Sequence, residues 1–487
     1  MSLKKEAGKG IIWVAAERFG QQLIQIVIFI VLARLLSPTE FGLVAMVMIV
    51  FEVSQSFIDS GMGQALIRER SITDIDRSTV FWLNILLSGL FYILIYFTAT
   101  LVADFYDQPD LILLIRVMGL SVFSSGLSIV QRAEMTQRME FKKQAIAQIP
   151  AVLVAGIVSI LLAYFGAGVW SLVAQYLLVS MIGAIVLWKV NPIRIRFIFN
   201  ISAFKRLFGF GYKLLLSGLL ATIFNNIYKL VIGKLYAAST LGLYTQAKKI
   251  KDLASLNLIS VIQKVTYPLL AKTRDNPDRL RVAYRQIILV SSYVIVPLMV
   301  FLIVFAAPIM EYVLGPQWIE ATSFLQLICI SGALFHLHSI NLNLLKVYGR
   351  SDLFLKLEVY KKIIISIALL IGVQFGIYGV LIGQVISSYI SLFINTYYTS
   401  KFLKYSVFQQ VFDVLKVGLF SFPMAVVLLA GVFFFSVNSL AALIAYIGLG
   451  FLVYVLTSLY FRGESFNYIL SIAQPYIPIK LKFFLKI

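Results

Sequence analysis

Charge is scarce in this sequence. Only 13% of its 487 residues are Asp, Glu, Lys or Arg, roughly half the share of a soluble domain, which excludes a water-facing globular body. Cysteine is nearly absent: Cys329 stands alone in an apolar run, so no intramolecular disulfide forms. The two histidines, His336 and His338, lie at i and i+2 and do not share a helix face, which argues against a metal site. No hydrophilic stretch is long enough to house a soluble domain. No Walker A loop is present, which argues against direct ATP hydrolysis. Asp74-Ile75-Asp76 has the D-x-D spacing of many nucleotide-sugar glycosyltransferases, but no nucleotide-binding domain surrounds it. Neither a metal nor a cofactor is expected.

What the chain has is apolar sequence. Hydrophobic residues make up 60% of it, in runs of about 20 residues that suit a bilayer-spanning helix. The reading gives an all-α integral membrane protein with fourteen spans, from Ile11–Leu32 to Leu440–Phe461. The eighth covers Leu253–Leu270, and the short eleventh, Ile363–Phe375, begins earlier, near Val359. The basic start (MSLKKEAGKG) precedes an apolar run with no small-residue cleavage site, so that run is read as a retained first helix.

The formal net charge of +20 would suggest nucleic acid in a soluble protein. Here topology explains it, and no nucleic-acid partner is expected. Loops on the side of the N-terminus hold 33 of the 42 Lys and Arg residues. The opposite loops hold only Arg34 and Lys234, against Glu40, Asp104, Asp107, Asp110, Glu311 and Glu320. The excess of positive charge predicts that both termini are cytoplasmic.

A segment occurs twice, 200 residues apart: LARLLSPTEFGLV at 32–44 and IGKLYAASTLGLY at 232–244. Further echoes pair Leu113–Phe123 with Leu325–Phe335, and the turn ending at Gln175 with that ending at Gln384. Spans one to six therefore match seven to twelve. Units of even helix number insert in the same orientation, so an axis along the membrane normal relates them. The expected divisions are a six-helix lobe over 1–190, a cytoplasmic linker over 191–211 and a second six-helix lobe over 212–400. Two added helices over 401–463 and an interfacial tail over 464–487 complete the chain.

Six plus six helices plus two resembles the polysaccharide-transporter branch of the multidrug/oligosaccharidyl-lipid/polysaccharide exporter superfamily. The segments LLSPTEFGLVAM, DSGMGQALIRER and LGPQWIEATSFLQLICISGAL are similar to that branch, and the resemblance covers nearly the whole chain. It implies a flippase for lipid-linked oligosaccharides of the capsule, exopolysaccharide or O-antigen type, in the bacterial cytoplasmic membrane. It further implies an undecaprenyl-pyrophosphate-linked oligosaccharide as cargo and membrane lipid as surroundings. A polysaccharide polymerase and a chain-length regulator are implied as partners, and proton or sodium coupling rests on the same analogy.

Nine bases remain outside the basic loops, several within spans, where each costs at least about 2.5–3.5 kcal/mol unless it faces a cavity or a partner. Arg18, Gln21, Gln22 and Gln25 form one helical stripe, and Thr222, Asn225, Asn226 and Lys229 form another. Gln25 aligns with Asn225 across the repeat. Amides and cations suit sugar hydroxyls and phosphates, which makes Arg18, Gln22, Gln25, Asn225, Asn226, Lys229, Lys248 and Lys264 the candidate cargo-binding set. The competing reading is that these groups tie helices together. Lys248, with Lys249 and Lys251, either guides a headgroup or forms a solvated mouth. Glu17, Glu52, Asp59 and Asp252 are candidates for ion coupling, or else members of structural ion pairs. Arg116 either lines the path or snorkels to the interface. His336 and His338, with Asn341 and Asn343, read as polar packing.

The sequence thus points to a transporter rather than an enzyme. A drug or cation antiporter would need an apolar or acidic cavity, and a polysaccharide polymerase or ligase would need sizeable outer loops.

Overall fold

The computed structural model describes residues 20–59, 61–69, 71–434, 439–461 and 463–473. Among the described residues the chain is helical throughout, with no strand. The helices are α1 (Gly20–Leu35), α2 (Pro38–Asp59), α3 (Met62–Arg68), α4 (Asp74–Tyr106), α5 (Leu111–Gly126) and α6 (Ile129–Gln137). They continue as α7 (Phe141–Tyr164), α8 (Val169–Val190), α9 (Ile201–Leu235), α10 (Ala238–Thr273) and α11 (Pro277–Val304). A short turn, α12 (Ala306–Pro308), runs into a π-helical turn before α13 (Ala321–Gly332) and α14 (Phe335–Val347). The remainder is α15 (Ser351–Val373), α16 (Gly376–Leu403), α17 (Val407–Leu419), α18 (Phe422–Phe434), α19 (Leu440–Phe461) and α20 (Glu464–Ala473).

Among the described residues ten helical stretches are long and apolar enough to cross a membrane, and the α17–α18 pair, bent by 50°, makes an eleventh if it is one span. The chain is therefore a multi-pass membrane protein. The other expected spans fall on helix as far as they are described, but do not meet that standard. Helix α1 is described only from Gly20. Helix α10 carries Lys248, Lys249, Lys251, Asp252 and Lys264, and α15 starts at Ser351 with a charged first half. The eleventh span was expected to begin near Val359; its helix begins eight residues earlier.

Internal packing divides the chain into two compact units, Met1–Thr245 and Gln246–Ile487. In the first, α1, α2, α7 and α8 share a core of Ile28, Leu32, Leu36, Val44, Val152 and Leu172. A second core there, around Met62, Leu66, Val80, Phe81, Val130 and Leu207, receives the irregular segment 191–200 through Ile193 and Ile195. In the second unit, α11, α14, α16 and α17 close over Leu280, Tyr284, Ile288, Leu337, Ile340, Leu344, Leu392 and Val414.

Two sequence signatures have plain local causes. In Ser37-Pro38-Thr39-Glu40, the Ser37 amide and hydroxyl donate to the Glu40 carboxylate at 2.6 and 2.9 Å, and the Glu40 amide donates back to Ser37 Oγ at 3.4 Å. With Pro38 at the first helical position, this is a capping box that starts α2. The D-x-D pair starts α4 in the same way. Asp76 accepts from the Thr73 amide and hydroxyl, while Asp74 holds Arg77 at 2.5 Å. Those carboxylates are committed to a helix end and its ion pairs, including Asp76 with Arg206.

Candidate functional site

The site builds outward from the repeated segment. Gly42 and Gly242 occupy the same place in the two copies, and each lets a backbone come close. A Cβ on Gly42 would stand 1.8 Å from the Ala238 carbonyl oxygen, and one on Gly242 would stand 1.9 Å from that of Pro38. No side chain fits at such distances, so the start of α2 and the start of α10 cross backbone to backbone. The contact is reciprocal: 42 meets 238 and 242 meets 38. This is the physical reason for the glycine in both copies.

From that crossing α2 runs antiparallel to α9 within the first unit. Met46 lies beside Gly233, Glu52 meets Asn226 and Lys229, and Ser56 meets Thr222. Ten residues of helix place Glu52 ~15 Å from Gly42, about half of a ~30 Å hydrocarbon core. Asn226 Nδ2 donates to Glu52 Oε2 at 2.6 Å, and to the Thr222 carbonyl at 3.0 Å. Lys229 Nζ stands 3.6 Å from Glu52 Oε1, an ion pair too long for a strong hydrogen bond. The Ser56 and Thr222 hydroxyls are 2.9 Å apart. One turn further, Gln55 Nε2 donates to Asp59 at 3.2 Å.

The structure thus joins residues expected in two separate roles. Asn226 and Lys229 were expected on the cargo and Glu52 on a coupling ion; they form one cluster. Asn226 is buried, Lys229 and Glu52 are partly open, and Asn225 and Gln25 are exposed. Gln22 is half-buried and engaged in a contact. Arg18 and Glu17 lie outside the described residues, and so does the side chain of Lys264 on α10.

The other intramembrane charges go elsewhere. Asp252 pairs with its neighbour Lys251 at 2.5 Å, and Lys251 stands 5.7 Å over the Phe335 ring, so both are committed inside the second unit. Lys248 is half-buried with a partner of its own. Arg116 lies 4.3 Å over the Tyr96 ring and donates to the Tyr96 carbonyl at 3.3 Å, which ties α5 to α4. Lys234 reaches Asp107 at 2.9 Å. The histidines are polar packing: His336 Nε2 is 2.8 Å from Ser292 Oγ, and His338 Nδ1 is 2.9 Å from Asn395 Nδ2. Among the described residues no group of three or more His, Cys, Asp or Glu side chains could hold a metal ion.

Sequence reasoning missed the polar lock of the second unit. Arg285 holds Asp413 through Nε at 2.7 Å and Nη2 at 3.1 Å, and Glu464 at 2.7 and 2.9 Å, while Tyr405 donates to Asp413 at 2.5 Å. Arg285 is 128 positions from Asp413 and 179 from Glu464, and the set shares no motif, so only the fold brings them together.

The chain is 26% identical over 378 residues to the teichuronic acid biosynthesis protein TuaB of Bacillus subtilis, covering 77% of this chain and 78% of that one. It is 25% identical to the lipopolysaccharide biosynthesis protein WzxC of Escherichia coli, over 77% and 76% of the two chains. Its fold resembles the lipid II flippase MurJ in an inward closed conformation, with a TM-score of 0.76 at 16% identity over 93% of this chain and 99% of that one. An inward-facing MATE transporter of the MOP superfamily is similar at a TM-score of 0.61 and 15% identity, over 84% and 98%. Residues 31–323, more than half of the chain, match the family described as polysaccharide biosynthesis protein, and the chain belongs to that family.

Proposed function

We propose that this protein is a flippase, not an enzyme, that carries an undecaprenyl-pyrophosphate-linked oligosaccharide from the cytoplasmic to the outer leaflet of the bacterial cytoplasmic membrane. The observation that carries the reading is the half-open cluster on α2 and α9. It sets a lysine, an amide and a carboxylate about half-way through the hydrocarbon, where unused charge is costly. Lys229, Asn225, Gln22 and Gln25 offer donors to a diphosphate and to sugar hydroxyls, with Asn226 held against Glu52 beside them; Arg18, Lys264 and Lys248 are the remaining cargo-binding candidates. The names of the relatives, which concern teichuronic acid and lipopolysaccharide biosynthesis, support this cargo class.

Transport proceeds by alternating access among fourteen spans, with both termini in the cytoplasm. The reciprocal Gly42–Gly242 crossing supports a two-fold relation between the repeats and forms the contact that parts when the outer side opens. Glu52 couples the cycle to a cation. When the diphosphate takes Lys229, the carboxylate loses its ion-pair partner and is left to hold the coupling cation. Glu17, Asp59 and Asp252 are the remaining coupling candidates. The polymerase and chain-length regulator act on the delivered glycan.

Transbilayer movement of acidic lipid-linked glycans in proteoliposomes tests the proposal. Movement faster than in protein-free vesicles, and slowed by Lys229→Ala, is expected. Equal movement with and without the protein overturns it. Export of organic cations without glycan movement would instead support a drug antiporter.

A further inference from the structure

We propose that the segment 193–206 is a docking surface for the phosphate headgroups of anionic membrane lipid. The inference does not depend on what the protein transports.

The depth of the segment follows from α4. Leu86, Leu90, Ile93, Phe97 and Leu101 recur at helical spacing on its outward face, 54–71% exposed, the mark of a helix side that meets acyl chains. Trp82 begins that stripe one turn earlier and Phe105 ends it, 23 residues or ~35 Å apart. A ~30 Å hydrocarbon core then places Trp82 at one boundary, where tryptophan concentrates. The segment is fastened at this level. Trp82 Nε1 donates to the Arg196 carbonyl at 2.9 Å, and the Phe197 ring lies 4.5 Å from the Trp82 ring. The Arg196 amide donates to Ser78 at 2.9 Å and the Asn200 amide to Thr79 at 3.2 Å.

The segment is extended here, so its side chains alternate. Ile193 and Ile195 turn inward onto the Phe81 core, while Arg194 and Arg196 turn outward. Phe197 is 91% exposed, and Ile198, Phe199 and Ile201 are exposed beside it. Nearby acids are already engaged: Asp74 faces Arg196 at 3.6 Å, and Asp76 and Glu69 face Arg206. Exposed Arg194 and Lys205 have no acidic partner among the described residues. Basic side chains over exposed rings at headgroup depth match an anionic lipid: the rings enter the acyl boundary and the cations meet phosphate. Charge complementarity selects anionic over zwitterionic lipid.

Trp82 itself reports the contact. The full-length protein is placed in nanodiscs of equal phosphatidylglycerol and phosphatidylcholine, with bromine on one lipid or the other. Its fluorescence is compared with that of Trp82→Phe to isolate this ring. The expected result is stronger quenching by brominated phosphatidylglycerol, since each basic group enriches anionic lipid about fivefold at low salt. In Arg194→Gln/Lys205→Gln the two lipids quench equally, while emission without bromine is unchanged. Equal quenching by both lipids in the unaltered protein overturns the proposal. Quenching by neither also overturns it, and shows the surface covered by protein.

Discussion

Two places in this molecule hold helices together, and they do so in opposite ways. In the first unit, α2 and α10 cross at Gly42 and Gly242 by backbone shape alone. In the second, Arg285 binds Asp413 and Glu464, each through two hydrogen bonds, with Tyr405 closing the set. Parting the glycine crossing uncovers peptide and apolar surface but strands no charge. Parting the arginine lock leaves a buried carboxylate without its partner, which is strongly unfavourable. A joint that must open is better made the first way, and one that must stay closed the second way. The Glu52–Lys229 cluster lies between these limits: it carries charge, but its ion pair is long and half-open, so a ligand can replace it.

The largest expected effect comes from breaking the shape-only contact. Gly42→Leu puts a side chain where the Ala238 carbonyl stands, and backbone cannot yield as a flexible side chain would. The crossing is then lost. With Cys329→Ala as background, a thiol at Pro38→Cys is expected to react with a membrane-impermeant maleimide when Gly42→Leu is present, and to be protected when glycine is kept. Equal labelling in both would mean that the crossing does not shield this end.

Next is the arginine lock. Asp413→Ala removes two of the four bonds of Arg285 and leaves the buried Tyr405 hydroxyl without its acceptor. Because Arg285 is about one-third exposed, the expected loss is held to about 2–3 kcal/mol, read as a lower thermal midpoint in detergent. Transport should fall only as far as the folded fraction falls. A smaller loss follows from Asn341→Leu, which takes the donor from the Gln410 amide oxygen 3.0 Å away while the amide nitrogen keeps the Tyr405 carbonyl, and costs about 1–2 kcal/mol. Adding Gln410→Leu should recover much of that stability; no recovery would mean that the amide pair matters through something other than its mutual bond.

The half-open cluster reverses the pattern. Glu52→Gln keeps the side chain's size and an oxygen for Asn226, so stability should change by less than about 1 kcal/mol. Glycan movement should nevertheless drop at least about tenfold and lose its response to an imposed proton or sodium gradient, as expected of a coupling carboxylate. A large stability loss with transport merely proportional would move Glu52 to the same class as Asp413.

These contrasts also explain what was legible in the sequence. The repeat, the all-helical class and the polar stripes on α1 and α9 rest on local spacing, and spacing survives in one dimension. The pairing of Glu52 with Asn226 and Lys229 does not. Glu52 and Asn226 are 174 positions apart, and spacing alone assigned them to separate roles. Asp252 lies 200 positions after Glu52, the offset of the repeat, yet pairs with Lys251. The second copy of the repeat thus kept the carboxylate and changed its neighbour. The lock at Arg285 left no trace because its four members come from four separate helices and loops.

The smallest effect tests whether ion pairing as such matters. Arg350 grips Asp352 at 2.7 Å on the exposed start of α15, and this hydrogen bond holds the Asp352 carboxyl down to about 2. A depressed carboxylate adds stability above its unfolded value near 3.8, and that contribution disappears as pH falls toward 2. At neutral pH it is fully present, yet both groups face solvent, where such pairs contribute little. Asp352→Asn should therefore leave the thermal midpoint unchanged at pH 7 in moderate salt, although its geometry is as good as that of Arg285. A clear drop would show that geometry outweighs burial in this protein, and the distinction between lock, cluster and crossing would lose its basis.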